Sequence, residues 1–185
     1  MASSHNCPAV YPGGLLDGSL HDECDRQWWA YYTKARQEKS SAEDLRAMSI
    51  PRYLPLIHRS VLYGRSRVHR WIPLFPGYVF VFASEDERVQ SLTTNRVTTT
   101  LRVMQPDRLR QDLLQLQRLI ESGEPVTAED RLEEGDRVRV RSGALAGIEG
   151  LVLQRRGQRR LLVSVDFLQK GASIAIDQDL LEVIS

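Results

Sequence analysis

The sequence predicts an α+β domain joined by a linker to a small all-β barrel, and three observations point there. Strand and helix patterns alternate through the first two thirds of the 185 residues, strand and turn patterns stand alone in the last third, and an aperiodic stretch separates them. Composition is ordinary for a globular chain, 42% hydrophobic and 26% charged, which disfavours wholesale disorder. With 25 basic and 24 acidic residues the formal net charge is +1, so any argument from charge has to be local.

Residues 1–25 contain Pro8, Pro12, Gly13, Gly14 and Gly18 without a period and are expected to form a flexible tail. Cys7 and Cys24 both lie there, too early to staple a core, which suits a reducing compartment. There is no basic start followed by an apolar run and no stretch of ~20 apolar residues, so the expectation is a soluble, cytoplasmic protein that avoids membranes.

The first domain is expected over residues 26–121. Trp28, Trp29, Tyr31 and Tyr32 make residues 28–33 a strand. Ala42, Leu45 and Met48 recur at helical spacing until Pro51 ends the pattern. Residues 53–57 and 61–63 then read as extended, residues 64–67 as a hairpin tip, and Val68 and Trp71 as the return arm. Residues 77–82 are apolar on both faces and should form a central strand. Ser84 followed by Glu85, Asp86 and Glu87 marks a helix N-terminus, residues 97–103 a β-branched strand, and Leu109, Leu113, Leu116 and Leu119 the stripe of a helix ending at Ser122 and Gly123. Residues 122–133 read as a linker and residues 134–185 as the barrel, with strict alternation over 137–141 and glycines between the later runs.

The run Pro73-Leu74-Phe75-Pro76-Gly77-Tyr78-Val79-Phe80-Val81, the opening aromatic strand and the following Lys34-Ala35-Arg36-Gln37-Glu38 resemble the N-terminal (NGN) domain of NusG-family transcription elongation factors. Gly135, Asp136 and the alternating run after them, with Gly143, Gly147, Ile148, Glu149, Gly150 and Val152, are similar to the KOW motif that follows in the same family. The resemblance implies an antiparallel NGN sheet with flanking helices, a linker and an SH3-like KOW barrel. The 34–38 and 73–81 runs look closer to the specialised RfaH-type antiterminators than to housekeeping NusG. Residues 88–94, Arg-Val-Gln-Ser-Leu-Thr-Thr, match only in part the run by which RfaH-type proteins touch the polymerase gate loop.

By that resemblance, Tyr32, Phe75, Tyr78 and Phe80 match the apolar cavity that receives the clamp helices of RNA polymerase. Strand alternation puts Tyr78 and Phe80 on one face, while Trp28, Val79 and Val81 read as plain core. From residue 34 to 70 there are nine basic and three acidic residues, an excess of six positive charges. Lys34, Arg36 and Lys39 crowd the first strand-to-helix junction and Arg65, Arg67 and Arg70 decorate the hairpin, so DNA phosphates could be met at both places; a merely solvated basic face is the plainer alternative. Arg96 could join the first group. Arg155, Arg156, Arg159 and Arg160 form a charged hairpin that is either a solvated turn or an RNA contact. Phe167 and Leu168 match the loop by which the family binds a small-subunit ribosomal protein or the termination factor Rho, and burial in the barrel mouth stands equal beside that.

His58 and His69 have no acid or nucleophile at a catalytic spacing, and no Gly-rich phosphate loop precedes a helix, so an enzyme is not expected. His5, Cys7, His21 and Cys24 supply zinc-type ligands at a spacing that matches no zinc pattern, so neither metal nor cofactor is expected. The leading expectation is a monomeric, operon-specific antitermination factor that binds the polymerase clamp helices and upstream or non-template DNA. The alternatives are a housekeeping NusG-type factor and a KOW-bearing RNA- or ribosome-binding protein. In a helix interior Gly143, Gly147, Gly150 and Gly157 would each cost ~1 kcal/mol, so the second domain should keep its β form rather than refold as a helical hairpin.

Overall fold

The computed structural model describes residues 9–18, 25–130, 135–155 and 157–184. The chain divides into two compact units, residues 1–106 and 107–185. In chain order the first holds β1 (Val10–Tyr11), β2 (Gln27–Thr33), α1 (Glu38–Ala47), β3 (Arg52–Tyr53), β4 (Leu56–Tyr63), β5 (Ser66–Pro73), β6 (Tyr78–Ala83), α2 (Glu85–Leu92) and β7 (Val97–Arg102). An antiparallel sheet runs β1-β3-β6-β2-β7, and β4 and β5 form a separate two-stranded ribbon. β6 is the middle strand, as its two apolar faces predict; Val79, Val81 and Ala83 join Trp29 and Tyr31 of β2 on the face that packs with Ala42 and Leu45 of α1.

α1 ends where residue chemistry dictates. Ser49 takes a left-handed φ of 58°, the Ser49 N–H donates to Arg46 O and the Ile50 N–H to Leu45 O, and Ile50 joins Leu45 in the core. These are the paired bonds and apolar contact of a Schellman ending. α2 begins with a full capping box: Ser84 Oγ accepts the Glu87 N–H, and Glu87 Oε2 accepts the Ser84 N–H.

Two expectations about the first unit are corrected. Within the expected flexible tail, β1 pairs with β3, and Leu15 and Leu16 are buried. Burying the two leucines contributes about 1.5–3 kcal/mol each toward ordering the segment. Arg52, one of the nine basic residues counted over 34–70, is wholly buried and adds no surface charge; its Nε donates to Ala42 O and its Nη1 to Ala9 O, so it ties the N-terminal segment to α1. His5, Cys7, His21 and Cys24 lie outside the described residues.

The second unit contains almost all of α3 (Pro106–Glu121), then β8 (Thr127–Glu129), β9 (Arg137–Val140), β10 (Glu149–Arg155), β11 (Gln158–Val165), β12 (Lys170–Ala175) and β13 (Leu181–Val183). The strands form one antiparallel sheet in the order β13-β9-β10-β11-β12-β8, a small β domain. β8 falls inside the expected linker: Thr127, Ala128 and Glu129 pair with β12 as a three-residue edge strand too short to show a period. α3 was expected in the first domain, yet its polar stripe is bonded to this sheet. Gln115 Oε1 accepts the Glu149 N–H at 2.7 Å, Asp112 Oδ2 accepts the Asp166 N–H at 3.1 Å, and Arg118 donates to Ala146 O. Gly150 lies within β10 rather than at a turn; a Cβ there would stand 2.2 Å from Leu162 O, so close strand approach demands glycine. Among the described residues no helix is long and apolar enough to cross a membrane.

Candidate functional site

The two sequence runs that carry the family resemblance meet at one hydrogen bond. Glu38, in the first turn of α1, is buried, and its Oε1 accepts the Gly77 N–H at 2.8 Å. Gly77 O in turn accepts the Thr33 N–H at 2.7 Å. Gly77 has φ +86° and lies so near the Tyr32 ring that an added Cβ would stand 2.8 Å from Cε2. The ends of β2 and β6 are thereby locked beside α1. Tyr32 and Tyr78 face each other across the strands, ring centroids 5.2 Å apart and planes at 60°. Tyr32 is 42% exposed and Tyr78 half-buried.

Phe75 and Phe80 are not on that surface: they are 3% and 0% exposed. Alternation does put Phe80 on the face of Tyr78, but its register neighbours Ala30 and Tyr53 are buried with it, so that face closes one step in from the strand end. Of these four aromatic residues the tyrosine pair is accessible, and the two phenylalanines are interior. Sequence reasoning missed Glu38 as the residue that positions this pair; an acid in a first helical turn carries no signal of a distant backbone partner.

Lys34, Arg36 and Lys39 are all exposed. Lys34 Nζ donates to Asn95 Oδ1, Arg36 has φ 62°, and Lys39 Nζ donates to Trp71 O, joining the start of α1 to the ribbon. Arg96 does not add free charge there, since it is paired with Asp44 and bonded to Gln37. Arg65, Arg67 and Arg70 are exposed on the ribbon, and residues 45–84 hold no Asp or Glu at all. The β4–β5 register places His58 opposite Trp71, Ser60 opposite His69 and Leu62 opposite Arg67, which makes those six one face. The His58 and His69 rings are parallel with centroids 4.9 Å apart, and the His58 and Trp71 centroids are 5.3 Å apart. This row follows from the register once the hairpin tip is known.

In and around α2, the Glu85, Glu87, Arg88 and Ser91 side chains are occupied. Arg26 grips Glu87 through Nε and Nη2 and holds its carboxyl below the usual range. Arg88 pairs with Glu85 and lies over the Trp29 ring. The Thr93 and Thr94 hydroxyls donate to Gln90 O and Ser91 O. Tyr31 OH bonds Ser91 Oγ at 3.0 Å, and burial pushes its phenol up to about 12.

In the second unit, Phe167 and Leu168 are half-buried in a single 3-10 turn, Asp166–Leu168, which Gln169 closes at φ 52°. Arg160 donates to Ser173 and Thr127 and Arg155 lies 3.8 Å from Glu129, so part of the charged hairpin serves the sheet; Arg156 is outside the described residues. Burial raises the Asp112 carboxyl to about 6. Among the described residues no three His, Cys, Asp or Glu gather as a metal site.

Residues 26–117 match the family model described as NusG, transcription termination factor nusG. No curated protein matches the chain.

Proposed function

We propose that the chain, whose residues 26–117 match the NusG family model, is an operon-specific, RfaH-like antitermination factor that binds RNA polymerase. It engages the polymerase clamp helices through Tyr32 and Tyr78, with Phe75 and Phe80 setting the pair from beneath. Lys34, Arg36, Lys39, Arg65, Arg67 and Arg70 face upstream or non-template DNA. The second unit acts as a KOW domain that offers Phe167 and Leu168 to a small-subunit ribosomal protein or to Rho.

The observation that carries the reading is the tyrosine pair, held at a strand end by the Glu38–Gly77 bond and exposed where a helix can lie against it. The test is binding of a clamp-helix fragment of the polymerase. Tyr32→Ala or Tyr78→Ala is expected to cost about 2 kcal/mol of affinity with the circular dichroism spectrum unchanged. Unaltered affinity in folded variants overturns the assignment. Transcript profiling after gene deletion separates the specialised role, which changes one operon, from a housekeeping role, which changes many.

A further inference from the structure

The ribbon face that carries Arg67 of the basic patch is also aromatic. Trp71 is 47% and Leu62 68% exposed, and both share a face with the stacked His58 and His69 and with Arg67. An exposed Trp in contact with a stacked imidazole pair is unusual on a solvated hairpin, where such surface normally finds cover. The surrounding field is uniformly positive: β4, β5 and their tip carry Arg59, Arg65, Arg67 and Arg70 and no carboxylate. Flat rings beside phosphate-seeking guanidinium groups form the combination that holds unpaired nucleic acid, bases on the rings and backbone on the cations.

We propose that the His58–His69–Trp71 face of the β4–β5 ribbon is a stacking platform for unpaired bases of single-stranded DNA. The proposal rests on the DNA-contact reading above and adds the bases to the phosphates. Stacking needs a base with a free face, so the displaced strand of melted DNA is the occupant and an intact duplex is not. Lys39, bonded to Trp71 O, holds the base of the ribbon beside the first basic group.

The intact chain is titrated with a twelve-nucleotide oligo-dT and, separately, with a duplex of the same length, at several salt concentrations. Trp71→Ala is expected to weaken oligo-dT binding about 5- to 150-fold, the range for loss of one base–aromatic stack, with the salt slope and the duplex affinity unchanged. Trp71→Phe, which keeps a ring, should recover most of the loss. Arg65→Ala with Arg67→Ala should do the reverse and lower the salt slope for both ligands. If Trp71→Ala and the His58→Ala, His69→Ala pair bind oligo-dT as wild type while the arginine variant loses slope, the platform is overturned and the phosphate reading stands. If the arginine variant changes nothing either, the DNA reading falls with it. Equal losses on duplex and oligo-dT, or a loss seen with oligo-U alone, also overturn the proposal.

Discussion

A Cβ on Gly77 would press against the Tyr32 ring, and φ +86° at that position disfavours any side chain. Gly77→Ala is therefore expected to lower stability by about 1–2 kcal/mol from backbone strain, with the ring clash in addition. Urea denaturation of Gly77→Ala alone and combined with Tyr32→Ala checks this, because the second change removes the clash and leaves the strain. Glu38 sets the same corner from the other side. Glu38→Ala leaves the Gly77 N–H without its acceptor in a buried setting and should cost about 1–3 kcal/mol. Glu38→Gln keeps an oxygen acceptor and should cost less. Clamp-fragment affinity should follow the order wild type, Gln, Ala, since the corner positions the tyrosine pair.

The helices make their own predictions. Ser84→Ala removes half of the α2 capping box and should cost about 1 kcal/mol by chemical denaturation. Arg26 lowers the Glu87 carboxyl, so that bond contributes above the ordinary glutamate range and is lost as pH falls through the depressed folded value. Asp112 has the opposite sign. Its carboxyl is raised to about 6 by burial, so it opposes the folded arrangement at neutral pH and the opposition fades as pH drops from about 6 toward its unfolded value. Amide exchange at the Asp166 N–H should thus slow on going from pH 7 to 5 once corrected for intrinsic rate, and Asp112→Asn should abolish that extra dependence. Elements with strong local signals were legible in the sequence: β6 through its two apolar faces, α2 through Ser84 and its acids, and α3 through its leucines. β1 and β8 were not, because strands of two and three residues have no period and exist only through their partners. The candidate site was half legible. Family resemblance pointed to Tyr32 and Tyr78, but the burial of Phe75, Phe80 and Arg52 is decided by neighbours distant in sequence.

At the scale of the whole chain, α3 belongs to the first unit by family resemblance and to the second by hydrogen bonding: the family match runs through residue 117, while contacts divide the chain after residue 106. We expect the bonding to govern independent folding. A fragment of residues 107–185 should give β-type amide shifts in the strands and helical shifts in α3, whereas a fragment of residues 122–185 should lose protection at Glu149 and Asp166, whose N–H groups α3 accepts. Equal protection in the two fragments would return the boundary to the end of α3. Helical shifts for β9 to β12 in the intact chain would show that this unit can be held in another fold.

The β4–β5 ribbon also has a length. Its two strands are eight residues each, so at ~3.3 Å per residue the ribbon is about 26 Å long, its first residues Leu56 and Ile57 buried in the body. That is the length of about seven or eight stacked nucleotides of one strand at ~3.4 Å each. On the proposed DNA contact, such an arm would occlude a stretch of strand rather than touch a point. Removing matched residue pairs from β4 and β5 should shorten its nuclease footprint in steps of about one nucleotide per pair, leaving the tyrosine corner, which lies outside the ribbon, unchanged.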